Sequence, residues 1–387
     1  MKVALLVDEL PTSSAPKIVG EEAYHLERLG VKCDVYVLKY KVSEIPPVHA
    51  ESINLKHLDE NLGLLRKICE WRVPSFSFFS LYHIAYPCIL SGKASKVLAK
   101  YDVVISHFGS TLLTSRLSLK RTMKAFYCWD PLSYIFEKAY MESWSKVKRK
   151  VLSSIGSHLD KWLLSKFDMI ILPSKFHLQR IMNFNINKPI RVVYPGTDVT
   201  RSIPKERGDY LLAVARWERG KNPFFFIKIA IKLKRDFSKN FKIIMVGPWS
   251  SHITLEEFRK SAKKADVFDV FKIVGPKYGS ELKELYIKAR CLIHAKTEAF
   301  GFTGLEAAAH GCPIIFPKGS GVTELFIHGE HGYFPKEGVT EEYAEYISRL
   351  LDDERLAWKM GYEAWNVAKN YTWENHARQL EDVIKRY

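Results

Sequence analysis

Two glutamates, Glu298 and Glu306, stand on either side of Gly301 with seven residues between them, in the segment HAKTEAFGFTGLEAAAHGCPIIF (294–316). The segment reads as strand end, loop, helix, glycine stop and next strand. A helix starting near Gly301 to Thr303 leaves its first backbone N–H groups without partners inside the helix. Those amides make an anion site suited to a sugar-linked phosphate. Glu298 in the loop and Glu306 one turn into the helix then flank the anion. Carboxylates suit ribose and hexose hydroxyls, because each oxygen accepts a charge-assisted hydrogen bond. Taken singly, these two glutamates read better as a loop carboxylate and a solvated helix residue. Their placement around a strand–glycine–helix turn is what points to chemistry.

A second cluster lies in AVARWERGKNP (213–223), just after a predicted strand. Arg216 and Lys221 share a short loop before a predicted helix, and Gly220 lets that loop bend freely. Two cations beside a helix-start anion site neutralise a pyrophosphate without a metal. Arg219 is a third cation able to replace either. By itself the loop reads better as a solvated basic turn.

The elements that must position these groups alternate along the chain. KVALLVD (2–8), CDVYVLKY (33–40), YDVVISH (101–107), KAFYCWD (124–130), FDMIILPS (167–174) and IRVVYPG (190–196) read as strands. A helix over 19–30, ending at Gly30, and a long helical stretch over about 132–167 fall between them. Continuous Val/Ile runs joined by helices indicate a parallel sheet covered on both faces. After the polar stretch 200–209 the pattern restarts with YLLAVAR (210–216), FKIIMVG (241–247), VFKIVG (270–275), RCLIHA (290–295) and CPIIFP (312–317). The expected plan is therefore α/β: domains 1–195 and 196–372, with a last helix, 373–387. Ligands of open parallel sheets sit beyond the carboxyl ends of the strands. Two such sheets facing each other make a cleft, lined in the second unit by the two clusters above.

Composition narrows the function. At 387 residues, two domains are expected, and 47% apolar with 26% charged residues fits a folded globular chain. The six cysteines show no C-x-x-C pair and no histidine at zinc spacing, so reduced thiols in a cytoplasmic protein are expected. The opening MKVALLVDELP reads as a buried strand rather than a signal peptide, since Asp8 and Glu9 interrupt an apolar run of about six residues. No stretch has the roughly 20 apolar residues of a membrane span. The net charge is +16, and residues 1–195 hold 28 Lys and Arg against 17 Asp and Glu. Such an excess serves nucleic acid, anionic lipid or a phosphorylated substrate. No nucleic-acid motif is present, so nucleic acid is not an expected partner. No G-x-G-x-x-G follows either opening strand, which argues against a nicotinamide dehydrogenase.

Together these segments resemble glycosyltransferase family 4, whose fold is called GT-B, over most of the chain and most clearly over 167–335. The resemblance rests on Glu298 to Glu306 as the family's E-x7-E, Arg216 and Lys221 as its R-x4-K loop, and YPGTD (194–198) at the domain junction. IVGPKYGSELKELYIKA (273–289) is similar to its base-binding strand and helix, and GSGVTELFIHGEHGYF (319–334) to the loop that follows. It implies two Rossmann-like domains facing across a cleft, the first for the acceptor and the second for a nucleotide sugar, with the last helix returning to the first domain. It further implies a retaining hexosyltransferase that needs no metal or other cofactor. Arg216 and Lys221 would hold the diphosphate, Glu306 the ribose, and Glu298 the transferred sugar. The amides near Gly301, Phe302 and Thr303 would meet the distal phosphate, and Gly275, Pro276 and Lys277 the base.

On the acceptor side, His107 ends its strand facing the expected cleft, as a catalytic or acceptor contact; a structural histidine is the alternative. YCWDPLSYIFEKAY (127–140) resembles the segment of mannosyltransferase-like members that carries histidine where Trp129 stands. Asp130 remains there as a polar candidate. Many relatives carry a Gly-Gly pair in the first loop; DELPTSSAPKIVGEEA (8–23) offers Lys17 and Gly20 instead. The aromatic stretch 73–92 and the basic run KVKRK (146–150) read either as packing or as contact with a lipid-linked acceptor at the cytoplasmic membrane face. GDP-mannose leads among donors, with UDP-hexoses open, and the acceptor is a glycan, lipid-linked or small hydroxyl compound. Two other readings stand beside this one: a nucleotide-sugar-binding protein without transfer, and a GT-B-like epimerase or phosphorylase.

Overall fold

The computed structural model describes residues 1–7, 15–38, 49, 51–58, 82–107, 110–137, 145–204, 206–237, 240–249 and 252–386. Among the described residues the first half forms a parallel sheet of seven strands: β1 (Lys2–Val7), β2 (Lys32–Val37), β3 (Asn54–His57), β4 (Val103–His107), β5 (Met123–Tyr127), β6 (Met169–Leu172) and β7 (Ile190–Val192). Their order is β3-β2-β1-β4-β5-β6-β7. Alternation within one apolar run feeds two cores at once, because successive strand side chains point to opposite faces. Val3, Leu5 and Val7 of β1 pack beneath the last helix with Ala377, Leu380 and Ile384. Ala4 and Leu6 pack on the other face with Leu90, Ala94 and Leu98 of the helix Tyr82–Leu98.

The second half forms a six-stranded parallel sheet from β8 (Tyr210–Val214), β9 (Lys242–Val246), β10 (Phe271–Gly275), β11 (Cys291–Ile293), β12 (Ile314–Ile315) and β13 (Gly332–Tyr333), in the order β10-β9-β8-β11-β12-β13. Each sheet begins in its interior and is built outward in both directions. The chain therefore reverses between β1 and β4, and again between β8 and β11, which opens a crevice at the carboxyl ends of those strands. The loops after β8 and β11 carry Lys221 and Glu298.

The domains are tied where the chain crosses over. The Thr197 amide donates to the Tyr371 carbonyl at 2.9 Å. A Cβ on Gly196 would lie 2.4 Å from the backbone nitrogen of Trp373, so only glycine permits this approach. The helix Trp373–Lys385, capped at Thr372, then returns to the first sheet, as expected.

Two local expectations change. Within the helical stretch over 132–167 the described residues form Leu132–Glu137 and Lys146–Ser165, with 138–144 outside the described residues; the second helix has its own start, where the Ser145 side chain accepts from the Lys148 amide. The first loop is outside the described residues over 8–14, while Lys17 and Gly20 belong to the helix Ala15–Arg28. Of the aromatic stretch, 73–81 also lies outside the described residues. The four cysteines with described side chains, Cys33, Cys128, Cys291 and Cys312, are buried and free.

Candidate functional site

The chain leaves β11 at Ile293 and turns at Gly301 into the helix Phe302–Ala309. Gly301 has φ of +99°, and a Cβ there would sit 2.8 Å from the Phe316 ring. A side chain is thus excluded twice, by backbone and by space. The loop before the turn is braced along its length. The Gly321 amide donates to the Glu298 carbonyl at 3.1 Å, the Val322 amide to the Phe300 carbonyl at 2.6 Å, and the Glu298 amide to Ser320 Oγ at 3.2 Å. From the first domain, Ser174 Oγ donates to the Ala299 carbonyl at 2.5 Å. Glu298 therefore projects from a held loop at the junction of the two domains.

Lys221 Nζ lies 2.6 Å from Glu298 Oε1. Lys221 arrives on a tight turn, Arg219–Lys221, and Asn222, with φ of +51°, redirects the chain into the helix Pro223–Phe237. His294 Nε2 approaches the same carboxylate oxygen at 3.6 Å, and its ring stacks on Phe316 at 4.4 Å. Burial, reinforced by the Lys221 ammonium, pushes the His294 imidazole down to about 4 against the pull of Glu298. At neutral pH the imidazole is therefore neutral beside the Lys221–Glu298 ion pair.

Glu306 faces the other domain. Its Oε2 accepts from the Tyr286 hydroxyl at 3.1 Å, and its Oε1 lies 3.4 Å from Nζ of Lys17 on the helix Ala15–Arg28. Lys17 also stands 3.7 Å from Asp198. Burial opposes the Lys17 charge, yet Glu306, Asp198 and Glu21 outweigh it and raise its pKa. The two acids thus bracket the Gly301 turn, one paired with a cation from its own domain and the other with a cation from across the cleft. Both are partly exposed, at 22% of the side chain.

The remaining predicted residues divide. Phe302 and Thr303 open the helix, and the Phe302 ring lies 5.6 Å from Trp129 of the first domain. Arg216 pairs with Glu218 at 3.2 Å and is mostly exposed, so it is not joined to the Lys221–Glu298 pair. Arg219 is drawn to Glu257 at 2.9 Å, away from the turn. Gly275 ends β10 and accepts from the Gly247 amide at 2.8 Å; Pro276 follows, and Lys277 pairs with Glu281 at 2.5 Å. Asp130 Oδ1 is 2.8 Å from His177 Nε2 and half-exposed.

His107 does not present itself to the cleft as expected. Its imidazole is fully buried, 3.1 Å from the equally buried Glu22, and the Trp129 indole donates to its Nδ1 at 3.4 Å. The other oxygen of Glu22 meets His376 of the last helix at 2.9 Å. Burial disfavours the Glu22 charge, but His107 and His376 overcome it and hold the carboxyl at about 2. Tyr286, His294, Glu22 and His376 carried no signal in the sequence. Lys17 was visible only as the cation in a loop lacking the glycine pair.

Residues 17–201 match the family model described as Glycosyltransferase Family 4, and residues 198–367 the one described as Glycosyl transferases group 1. The D-inositol 3-phosphate glycosyltransferase of Corynebacterium glutamicum is 26% identical over 244 residues, 58% of each chain. The protein of that name from Actinosynnema mirum is 23% identical over 394 residues, 95% of this chain and 90% of the relative. The chain spans about half the length of the Corynebacterium relatives it matches. The crystal structure of Anabaena HepE in complex with UDP and glucose superposes over 100% of both chains, with a TM-score of 0.75 at 15% identity. That likeness shows the GT-B fold.

Proposed function

The chain belongs to glycosyltransferase family 4, and from that premise we propose that it moves a hexose from a nucleoside-diphosphate sugar to an acceptor hydroxyl with retention of anomeric configuration. The observation that supports this most is the Gly301 turn, with Glu298 held against Lys221 on one side and Glu306 facing the other domain on the other. In this reading Glu306 accepts the ribose hydroxyls and Glu298 those of the transferred sugar. Lys221 and Arg216 neutralise the diphosphate, and the amides of Phe302 and Thr303 receive its distal phosphate. Gly275, Pro276 and Lys277 line the base. Arg216 must leave Glu218 to take part, which its exposure permits.

The acceptor hydroxyl attacks on the face from which the diphosphate departs, and a departing phosphate oxygen takes its proton. Cations and helix amides then act most on the charge that grows as the bond breaks, which lowers the barrier rather than merely tightening binding. Protein cations do this work without a divalent metal. GDP-mannose is the first donor to test and UDP-hexoses the next. The names of the relatives make a phosphorylated inositol the first small acceptor to test, beside glycan and lipid-linked hydroxyls, in a cytoplasmic setting.

Replacing Lys221 with Ala is expected to lower turnover by about 10²–10³-fold, the usual size for a preorganised donor to a developing anion. Near-normal turnover in that variant would overturn the assignment. Thermal stabilisation across a panel of nucleotide sugars identifies the donor, since bound ligand raises apparent stability. Binding without transfer would point to a sugar-nucleotide-binding protein, and an epimerised donor or free sugar phosphate to the other GT-B chemistries.

A further inference from the structure

Five of the nine large hydrophobic side chains exposed among the described residues lie on one helix, Lys146–Ser165. Val147, Val151, Ile155, Leu159 and Trp162 are between 36% and 74% exposed. Their spacing of three and four residues places them on a single stripe. The helix already has a core side: Gly156, Asp160, Leu163 and Leu164 are buried, and Asp160 accepts from the amides of Leu132 and Ser133 at 2.8 Å. The exposed stripe runs along the opposite side, so packing against the described residues of the first domain does not account for it.

Charge says what fits there. Lys148, Lys150 and Lys161 of this helix and Lys166 just beyond it are exposed. The helix's one acid, Asp160, is the buried one, so its outer surface carries no negative side chain. Trp162 lies at the far end, with the Lys166 ammonium 5.7 Å from its ring. An apolar stripe edged by lysines and ended by a tryptophan matches a bilayer interface. Aliphatic groups enter the acyl boundary, long lysine stems lift their ammonium groups to the headgroups, and an indole settles between the two. Among the described residues no helix is long and apolar enough to cross a membrane, so the fitting pose is flat on the surface.

We infer that the Lys146–Ser165 helix is a docking face for an anionic lipid bilayer. It belongs to the domain with 28 Lys and Arg against 17 Asp and Glu, whose field draws the protein toward negative lipid. This contact stands independently of the transferase reading, and a docked enzyme would meet acceptors embedded in the same surface.

Flotation of the full chain with vesicles tests it, using phosphatidylcholine with and without phosphatidylglycerol. Binding is expected only to the vesicles containing phosphatidylglycerol, and it should weaken as salt rises. The combined substitution Val151→Ser, Ile155→Ser and Trp162→Ser is expected to reduce partitioning about tenfold or more. Lys150→Glu with Lys161→Glu should reduce it as well. All five positions are exposed, so circular dichroism and the thermal midpoint should not change. No binding of the parent chain to anionic vesicles would overturn the inference, as would unchanged binding by the serine variant. Self-association that the serine variant abolishes, without vesicle binding, would make the stripe a protein interface and equally defeat it. Stabilisation by nucleotide sugars, measured in the same variants, separates this outcome from failure of the transferase reading.

Discussion

Lys17, in the opening helix of the first domain, reaches Glu306 of the second domain, with Nζ 3.4 Å from Oε1. The residue expected to hold the donor ribose is thus already paired with a cation from across the cleft. On the donor site proposed above, a diphosphate arriving between the domains would offer that ammonium a second anionic partner, while the ribose hydroxyls would take up Glu306.

Lys17→Ala should therefore weaken binding of a nucleoside diphosphate by about tenfold, in line with loss of one charge-assisted hydrogen bond. Affinity for the parent nucleoside should change little. The pair is partly solvated, so the cost in stability should stay below about 1 kcal/mol. Calorimetric titration of both ligands, with thermal unfolding alongside, checks the split. Equal losses for both ligands would remove Lys17 from the phosphate site.

Gly301→Ala forces a Cβ into a left-handed residue and against the Phe316 ring, 2.8 Å away. A cost of about 1–3 kcal/mol is expected from the backbone alone. Donor affinity should fall as well, because the helix amino end shifts with the turn. Chemical denaturation and nucleotide titration measure the two effects, and a variant normal in both would mean that the turn does not shape the site.

The buried His294 imidazole is held at about 4, below its ordinary value of 6.5. Between those values the unfolded chain binds the proton that the folded chain refuses. Stability from this residue is complete above pH 6.5 and drains away as pH falls to 4, by on the order of 3 kcal/mol at most. His294→Gln should flatten the fall of unfolding free energy across that window. Glu22, held at about 2 against an ordinary 4.5, acts in the next window down, so loss below pH 4.5 should persist in the variant. An unchanged slope above pH 4.5 would contradict the assignment.

His376→Leu leaves the buried Glu22 with His107 as its remaining ring partner among those described here. Breaking one side of a buried charged cluster costs about 3–5 kcal/mol. The last helix should loosen from the first sheet before the rest unfolds. Hydrogen exchange confined to 373–385 would show this, whereas uniform protection in the variant would rule it out.

Most of the fold was legible because parallel-sheet strands are buried on both faces and announce themselves as unbroken Val, Ile and Leu runs. The E-x7-E segment was legible for a related reason: Glu298, Gly301 and Glu306 are set by one local turn, and a turn is written in consecutive residues. The start of the helix Lys146–Ser165 inside the stretch 132–167 was harder to read, since only the Ser145 cap marks it. The surroundings of His107 were not legible, for the opposite reason. Its strand end was correctly identified, but its exposure depends on Glu22 and Trp129 closing over it.

By itself the chain determined its strand and helix succession, the two-domain plan and the Gly301 turn, because each of these is governed by residues adjacent in sequence or one turn apart. Only tertiary structure decided that Lys17 would answer Glu306, 289 residues away, and that Glu22 would join His376 across 354. Such pairings depend on how separately formed layers come to rest against one another. Charge and residue type permit many partners, and packing selects one.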